Sequence, residues 1–286
     1  MNIQAIFLKA LLPFFITAQA NDTFIINGKI IVVPNPKGFI RITDEMSAVT
    51  RLTRQMVDPM NDTLAFYILE SEVPTAMAGK MPTLDRTFIL KVNKQLRNMT
   101  VGKNDFSQLK EMTKRQNQQI FADLKSKIPE YMNKFNQGMS KEFNVDLAME
   151  VSQTVPLEPH YEADNVLSYS MYINYGLTSG NEKTNTIIAA TSTFLNASGT
   201  VLFLYAYGPQ DNLEWTRTAS KSWAESVMSS NLQPPEKSPV SRGFNWDKVM
   251  EKGLIGAIMG AITGLMAALY SVLKKKKSKQ NTGGAV

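Results

Sequence analysis

The sequence predicts an α+β fold, in which helices pack on a mostly antiparallel sheet, followed by one C-terminal transmembrane helix. Several short runs rich in β-branched and aromatic residues are bounded by turn residues, as strands are. Two longer stretches carry apolar residues at helical spacing. The uncharged run GLIGAIMGAITGLMAALYSVL at 253–273 is long enough to cross a bilayer. Strand runs mixed with long helices are typical of helices layered on a sheet.

The predicted strands are located mainly by the turns between them. In FIINGKIIVVP the pair Asn27-Gly28 separates two apolar runs, which is a strong signal for a two-residue hairpin. The turn at 196–199 separates the last two runs, which we expect to pair as a second hairpin. Because TVLFLYAYG is apolar on both faces, it is predicted to be a central strand. The other predicted strands are KGFIRIT, TLAFYILE, RTFILKV, SYSMYINYG and NTIIAATSTFL.

Two long helices and one short helix are predicted. The first, DFSQLKEMTKRQNQQIFADLKSKI at 105–128, has an intermittent apolar stripe opposite basic and amide residues. In the second, LEWTRTASKSWAESVMSS at 213–230, Trp215 and Trp223 share one face and are expected to pack in the core. The segment EMSAVTRLTRQMV at 45–57 is predicted to form the short helix.

The first twenty residues are typical of a cleaved secretory signal. Lys9 lies before a short apolar core, ALLPFFIT, and Ala18-Gln19-Ala20 has the small-x-small pattern of a cleavage site. The apolar core is too short to span a bilayer. We therefore expect cleavage after Ala20, with an uncleaved N-terminal anchor as the alternative.

The apolar run at 253–273 is interpreted as a stop-transfer anchor. Its 21 uncharged residues would extend about 31 Å as a helix, which matches a hydrocarbon core of about 30 Å. It is followed at once by Lys274, Lys275, Lys276 and Lys277. By the positive-inside rule these lysines place the C-terminus in the cytoplasm, and Trp246 is expected to anchor the outer interface. The predicted location is the bacterial inner membrane, single-pass, with the N-terminal domain in the periplasm.

Glycine recurs at four-residue spacing within this run. Gly256, Gly260 and Gly264 would lie on one helical face and form a smooth groove for the close approach of another helix. They predict helix packing, either between copies of the chain or with another membrane protein. Glycine is also common in transmembrane helices in general, which is the alternative explanation.

The chain is therefore divided into five parts. They are a cleaved signal peptide at 1–20, an exported α+β domain at 21–231, a Pro-rich linker and juxtamembrane segment at 232–252, the transmembrane helix at 253–273, and a short basic cytoplasmic tail at 274–286.

Composition excludes several functions. The net charge of +6 arises from the two ends, since residues 21–252 carry 25 basic and 25 acidic groups, so we expect no nucleic-acid partner. The chain has no cysteine and one histidine, His160, which lies in an acidic stretch interpreted as a solvated loop. Phosphate-binding, dinucleotide, zinc-protease and nucleophile-elbow motifs are absent from the sequence. No catalytic residue, cofactor or metal site is predicted.

The layout resembles a known fold family. With GFIRITDEM near the start and TVLFLYAYGPQDNLEWTRTASKSW at the end, the chain is similar to a group of signal-bearing, single-pass bacterial membrane proteins. More loosely, residues 24–230 resemble the PsbP/DcrB-type α/β/α sandwich. That resemblance implies a non-catalytic accessory or binding module, and it transfers no functional residue to this chain.

Three functions are consistent with the sequence. The first is a membrane-anchored periplasmic binding or accessory protein without catalytic activity, acting with an unidentified envelope partner. The second is a membrane-tethered, carboxylate-dependent hydrolase, which needs two acids with separated pKa values in one pocket. The third is an oligomeric envelope component assembled through its transmembrane helix. The lipid bilayer is an expected partner in all three.

Overall fold

The computed structural model describes residues 20–56, 58–144, 147–231 and 255–262. The ten strands are β1 (Asn21–Ile26), β2 (Lys29–Pro34), β3 (Phe39–Arg41), β4 (Asn61–Leu69), β5 (Thr87–Asn93), β6 (Leu147–Pro156), β7 (Tyr161–Ala163), β8 (Val166–Ser179), β9 (Glu182–Ala197) and β10 (Thr200–Pro209). The helices are α1 (Ser47–Gln55), α2 (Val73–Met77), α3 (Lys103–Lys125), α4 (Ile128–Phe143), α5 (Leu213–Ser230) and α6 (255–262).

The strands form one large antiparallel sheet and one separate hairpin. The large sheet has the order β3-β4-β5-β10-β9-β8-β6, with β7 paired to β8. The central position of β10, predicted from its apolar sequence, is confirmed. Both predicted hairpins are also confirmed, because β1 pairs with β2 around Asn27-Gly28 and β9 pairs with β10 around Ser198-Gly199. All four of these turn residues have positive φ, as tight two-residue turns require.

Helices cover both faces of the sheet and create three layers. One core cluster lies between the sheet and the helices α1, α3, α4 and α6. The other lies between the opposite face of the sheet, α5 and the β1–β2 hairpin. The central strand contributes to both, since Val201, Phe203, Tyr205 and Tyr207 belong to the first cluster and the residues between them to the second. The predicted α+β class with helices on an antiparallel sheet is thus confirmed.

The helix predicted at 105–128 corresponds to α3, and a further helix that was not predicted, α4, follows it. α3 ends at Lys125, residues 126–127 form a turn, and α4 begins at Ile128. A proline lies in the first turn of α4, where a backbone nitrogen has no hydrogen-bond partner within the helix. α4 ends at Phe143, and the next residue, Asn144, has the left-handed conformation that often terminates a helix. Ile128, Met132 and Phe135 pack into the first core cluster. Strands β6 and β7, also absent from the prediction, follow this helix.

The N-terminal half of the apolar run is described as α6. Its residues from Gly256 to Ile262 are buried within the first core cluster, against the sheet. Residues 253–254 and 263–273 of the predicted transmembrane helix lie outside the described residues. Within the part of the chain that the structure describes, no helix combines the length and the apolar character needed to cross a membrane.

Candidate helix-binding groove

Polar side chains line the sheet where α6 lies on it. We call this surface the tyrosine groove and define it by Asp58, Asn61, Lys91, Tyr175, Tyr205 and Tyr207, each no more than 5% exposed. Side chains two apart in a strand point to the same face, so Tyr205 and Tyr207 of β10 lie side by side. Their rings stack with centroids 6.2 Å apart. Lys91 reaches the same face from β5, and Tyr175 from β8.

The tyrosine groove binds the main chain of α6. The hydroxyls of Tyr205, Tyr207 and Tyr175 donate hydrogen bonds to the carbonyl oxygens of Ala257, Gly260 and Ile262, at 2.9, 3.2 and 2.8 Å. The amide of Asn61 donates to the Gly256 carbonyl at 2.7 Å, and the Lys91 ammonium lies 3.4 Å from the Gly260 carbonyl oxygen. A carbonyl oxygen has two lone pairs, so it can accept a side-chain donor in addition to a helical N–H.

A buried ion pair between Lys91 and Asp58 fixes the position of two of these donors. Lys91 Nζ lies 2.9 Å from Asp58 Oδ2, and both side chains are 1% exposed. The Asp58 carboxylate also accepts hydrogen bonds from the backbone N–H groups of Met60 and Asn61 and from the Asn61 amide. A buried charge is tolerated when it is paired and hydrogen-bonded. The pair therefore holds Asn61 and Lys91 in position to contact α6.

Two glycines allow α6 to approach the sheet this closely. A Cβ atom at Gly260 would lie 2.8 Å from Tyr205 Cζ and would collide with the Tyr205 hydroxyl. A Cβ atom at Gly256 would collide with the Asn93 amide and would lie 3.0 Å from Asn61 Oδ1. A larger residue at either position must displace the helix or the side chains that donate to it.

The groove tyrosines have raised pKa values and so stay protonated at neutral pH. Complete burial raises the pKa of Tyr175, Tyr205 and Tyr207 well above that of a free phenol, because burial disfavours the charged phenolate. Each hydroxyl thus keeps the proton that it donates to α6.

A cavity of about 450 Å³ opens beside α6. Ile255 and Met259 of α6 form one wall, and Met60, Gln95 and Tyr131 contribute to the rest. The cavity lies beside the helix, whose hydrogen-bonded face stays buried.

Of the residues singled out from sequence, the structure places Gly256 and Gly260 together against the tyrosine groove. Gly264, Trp246, Lys274, Lys275, Lys276, Lys277 and Ala18 lie outside the described residues. Ala20 is exposed, and its carbonyl accepts a hydrogen bond from the Asn35 N–H at 2.9 Å. The roles assigned to these residues stay predictions.

The acidic stretch around the single histidine includes the short strand β7, and its carboxylates are ion-paired while they stay partly exposed. His160 is partly buried, and its Nδ1 lies 3.4 Å from Ser170 Oγ. Glu162 pairs with Lys110 and Lys114, and Asp164 pairs with Lys103. Hydrogen bonds from these lysines lower the pKa of both carboxyls. Among the described residues, no group of three or more acidic or histidine side chains is arranged to bind a metal ion.

Sequence reasoning missed the residues of the tyrosine groove. The available signal was the pattern of β5, where Lys91 and Asn93 interrupt an apolar run. These two residues are two positions apart, so their side chains share a face of the sheet. In β10 the tyrosines at 205 and 207 show the same period. Two buried strands with polar groups on the same face indicate a polar site under whatever covers that face.

Solved structures of other proteins include some that are similar to this chain. The chain is similar to cyanobacterial PsbP (CyanoP) from Synechocystis sp. PCC 6803, whose solution structure it matches at 11% sequence identity and a TM-score of 0.25. The match covers 77% of this chain and 95% of that protein. At that TM-score the likeness carries no argument, so the architecture rests on the strand order and helix packing described above. No family model and no curated protein matches the chain.

Proposed function

We propose that this chain is a membrane-anchored, non-catalytic envelope protein whose exported domain binds an apolar helix. One observation carries the proposal: side-chain donors of the sheet meet the main-chain carbonyls of α6 at consecutive turns. A site that donates to carbonyl oxygens recognises a helix backbone, which is accessible only where the helix has small residues. The glycine spacing at 256 and 260 meets that requirement.

The composition of the surface around this site also supports binding. The first core cluster has an apolar floor of sheet and helix residues, and the tyrosine groove places polar donors within it. Such a combination suits an apolar segment with an exposed backbone stripe, because the apolar side chains are buried while the carbonyls gain partners. The bound segment in this structure is the chain's own α6.

Cross-linking of the full chain tests this binding. The natural chain has no cysteine, so the two introduced cysteines are the only thiols of a chain that a bismaleimide can link, and dilute protein keeps links between chains rare. Met60→Cys with Ile255→Cys places one thiol on each side of the cavity beside α6. We expect a short bismaleimide to link this pair in high yield in protein made without detergent. Mass spectrometry of the linked peptides measures the yield.

A matched pair serves as the control. Ile25→Cys with Ile255→Cys keeps the α6 thiol and moves the second thiol to β1, which belongs to the layer on the opposite face of the sheet. We expect little intramolecular product from this pair. Equal yields from the two pairs, or no product from the first, would overturn the proposal.

A further inference from the structure

We propose that docking of α6 in the tyrosine groove and insertion of the apolar run into a bilayer are mutually exclusive, so that lipid competes with the domain for this helix. The inference rests on the proposed function, because it requires that the groove holds α6. It goes further by naming the competing ligand, a phospholipid bilayer, and the two forms between which the protein exchanges.

Chain length makes the two forms incompatible. The apolar run ends at Leu273, so eleven of its residues follow Ile262. Even as a continuous helix these eleven would extend only about 16 Å, against a hydrocarbon thickness of about 30 Å. Spanning therefore needs the residues of α6 as well. Because these residues lie buried in the first core cluster when docked, the protein cannot do both at once.

The energetic balance between the forms is set mainly by polar groups. Lipid tails and the protein core are similarly apolar, so the side chains of α6 gain little by moving from one to the other. Docking adds hydrogen bonds to the carbonyls of Gly256, Ala257, Gly260 and Ile262, for which a bilayer core has no donors. Docking also removes Lys91 and Asp58 from water, which opposes docking. We expect the hydrogen bonds to the four carbonyls to outweigh this cost, so that the docked form is favoured until lipid is present in excess.

The polar groups of the groove also allow water to fill it when α6 leaves. Its lining presents an ammonium, a carboxylate, two amides and three phenols, all of which water can solvate: Asp58, Asn61, Lys91, Tyr175, Tyr205 and Tyr207 with Asn93. A groove lined only by apolar groups would expose a large hydrophobic patch when the helix leaves. The polar lining lowers the cost of release and makes the exchange reversible.

Photolabelling from lipid tests the exclusion. The full-length Met60→Cys/Ile255→Cys protein is divided into two samples, one cross-linked with bismaleimide and one capped with N-ethylmaleimide. Both are mixed with vesicles of phosphatidylethanolamine and phosphatidylglycerol that contain a diazirine lipid. Trypsin cleaves after Lys252 and Lys274, so the apolar run is recovered as one peptide or its cross-linked product. This readout is independent of membrane contact by the first twenty residues.

We expect lipid label on the 253–274 peptide of the capped sample and at least tenfold less on that of the cross-linked sample. Equal labelling of the two samples would overturn the exclusion while leaving the docking proposal intact. Absence of label from both would also overturn it, because lipid would then not compete for α6. Failure of the cross-link to form would instead contradict the proposed function itself, so the two failures are distinguishable.

Discussion

The ammonium of Lys91 and the carboxylate of Asp58 form an ion pair at 2.9 Å beneath α6, with 1% of each side chain exposed. The two residues lie 33 positions apart in the chain and come from β5 and the segment that precedes β4. Their pairing links the centre of the sheet to the Asn61 amide, which in turn donates to the Gly256 carbonyl. The ion pair is therefore both a structural element of the domain and the support of its helix-binding surface.

Replacing Lys91 with Met should destabilise the domain strongly. The substitution leaves the Asp58 carboxylate buried without its cation, and breaking one side of a buried pair typically costs about 3–5 kcal/mol. We expect a loss near 3 kcal/mol, because the two backbone N–H groups and the Asn61 amide still donate to Asp58. Urea unfolding followed by tryptophan fluorescence measures it.

The double variant separates lost charge pairing from lost packing. In Lys91→Met/Asp58→Asn no uncompensated charge remains, and the Asn oxygen can still accept from the backbone N–H groups. We expect this variant to be more stable than Lys91→Met alone. Lys80→Met, at an exposed position, should change stability by less than about 0.5 kcal/mol. A double variant as unstable as the single one would show that the ion pair is not the cause.

Gly260→Ala should weaken docking of α6 although alanine is the better helix former. Helix propensity alone would favour alanine by about 1 kcal/mol. The new Cβ would collide with the Tyr205 hydroxyl, so we expect the cross-linking yield between cysteines at 60 and 255 to fall severalfold. Weaker docking where helix propensity predicts stronger docking would distinguish a packing requirement from a propensity effect.

Tyr205→Phe combined with Gly260→Ala is the matched test, since it removes the colliding oxygen and should restore part of the yield. The alternative is the prediction from sequence that these glycines serve contacts between helices in lipid. It would be favoured if Gly260→Ala left the cross-linking yield unchanged and reduced self-association in a membrane dimerisation assay.

The strands and both hairpins could be predicted from the sequence because their signals are local. Alternation, β-branched content and the Asn27-Gly28 turn depend only on neighbouring residues. β6 was not predictable in this way. It is an edge strand with one solvated side, and its sequence LAMEVSQTVP carries a weak apolar pattern. The predicted helix ends at Ile128, the residue at which α4 begins, so α4 itself was missed. Its sequence IPEYMNKFNQGMSKEF contains a proline, a glycine and two asparagines, which lower its helix propensity.

The strand pattern of β5 and β10 could indicate a polar face, but the full set of groove residues could not be predicted because they meet only through the sheet topology. The pairing of β4 with β5 brings the segment before β4, which carries Asp58, close to Lys91, and no spacing rule reveals this. The apolar run raises a different difficulty. Its composition indicates an apolar environment, but a protein core and a bilayer select the same residues. Only the contacts of Gly256 and Gly260 with polar side chains show that the domain can supply that environment.

Removing one groove hydroxyl should weaken docking by a modest amount. Tyr175→Phe deletes the hydrogen bond to the Ile262 carbonyl and leaves the ring packing unchanged, so we expect a loss of about 0.5–1.5 kcal/mol. Hydrogen exchange of the α6 amides in the full chain measures docking directly, and protection should fall. Tyr172→Phe on the same strand is the control, because its side chain points to the other face. Equal loss of protection in both variants would contradict a specific role for Tyr175.

Stability should depend on pH through His160 in the window between pH 6.5 and 4. Burial, followed by the nearby Arg217 charge, lowers the His160 pKa to about 4, and Glu214 opposes this shift. Between these values the unfolded chain binds a proton that the folded chain does not, so the free energy of unfolding falls as pH is lowered. His160→Gln cannot titrate, and we expect its stability to fall less than that of the natural chain between pH 7 and pH 5 in urea unfolding. Arg217→Gln should raise the His160 pKa and so narrow the pH range over which stability depends on this histidine. Parallel pH profiles for the natural chain and His160→Gln would show that the histidine is as easily protonated in the folded state as in the unfolded one.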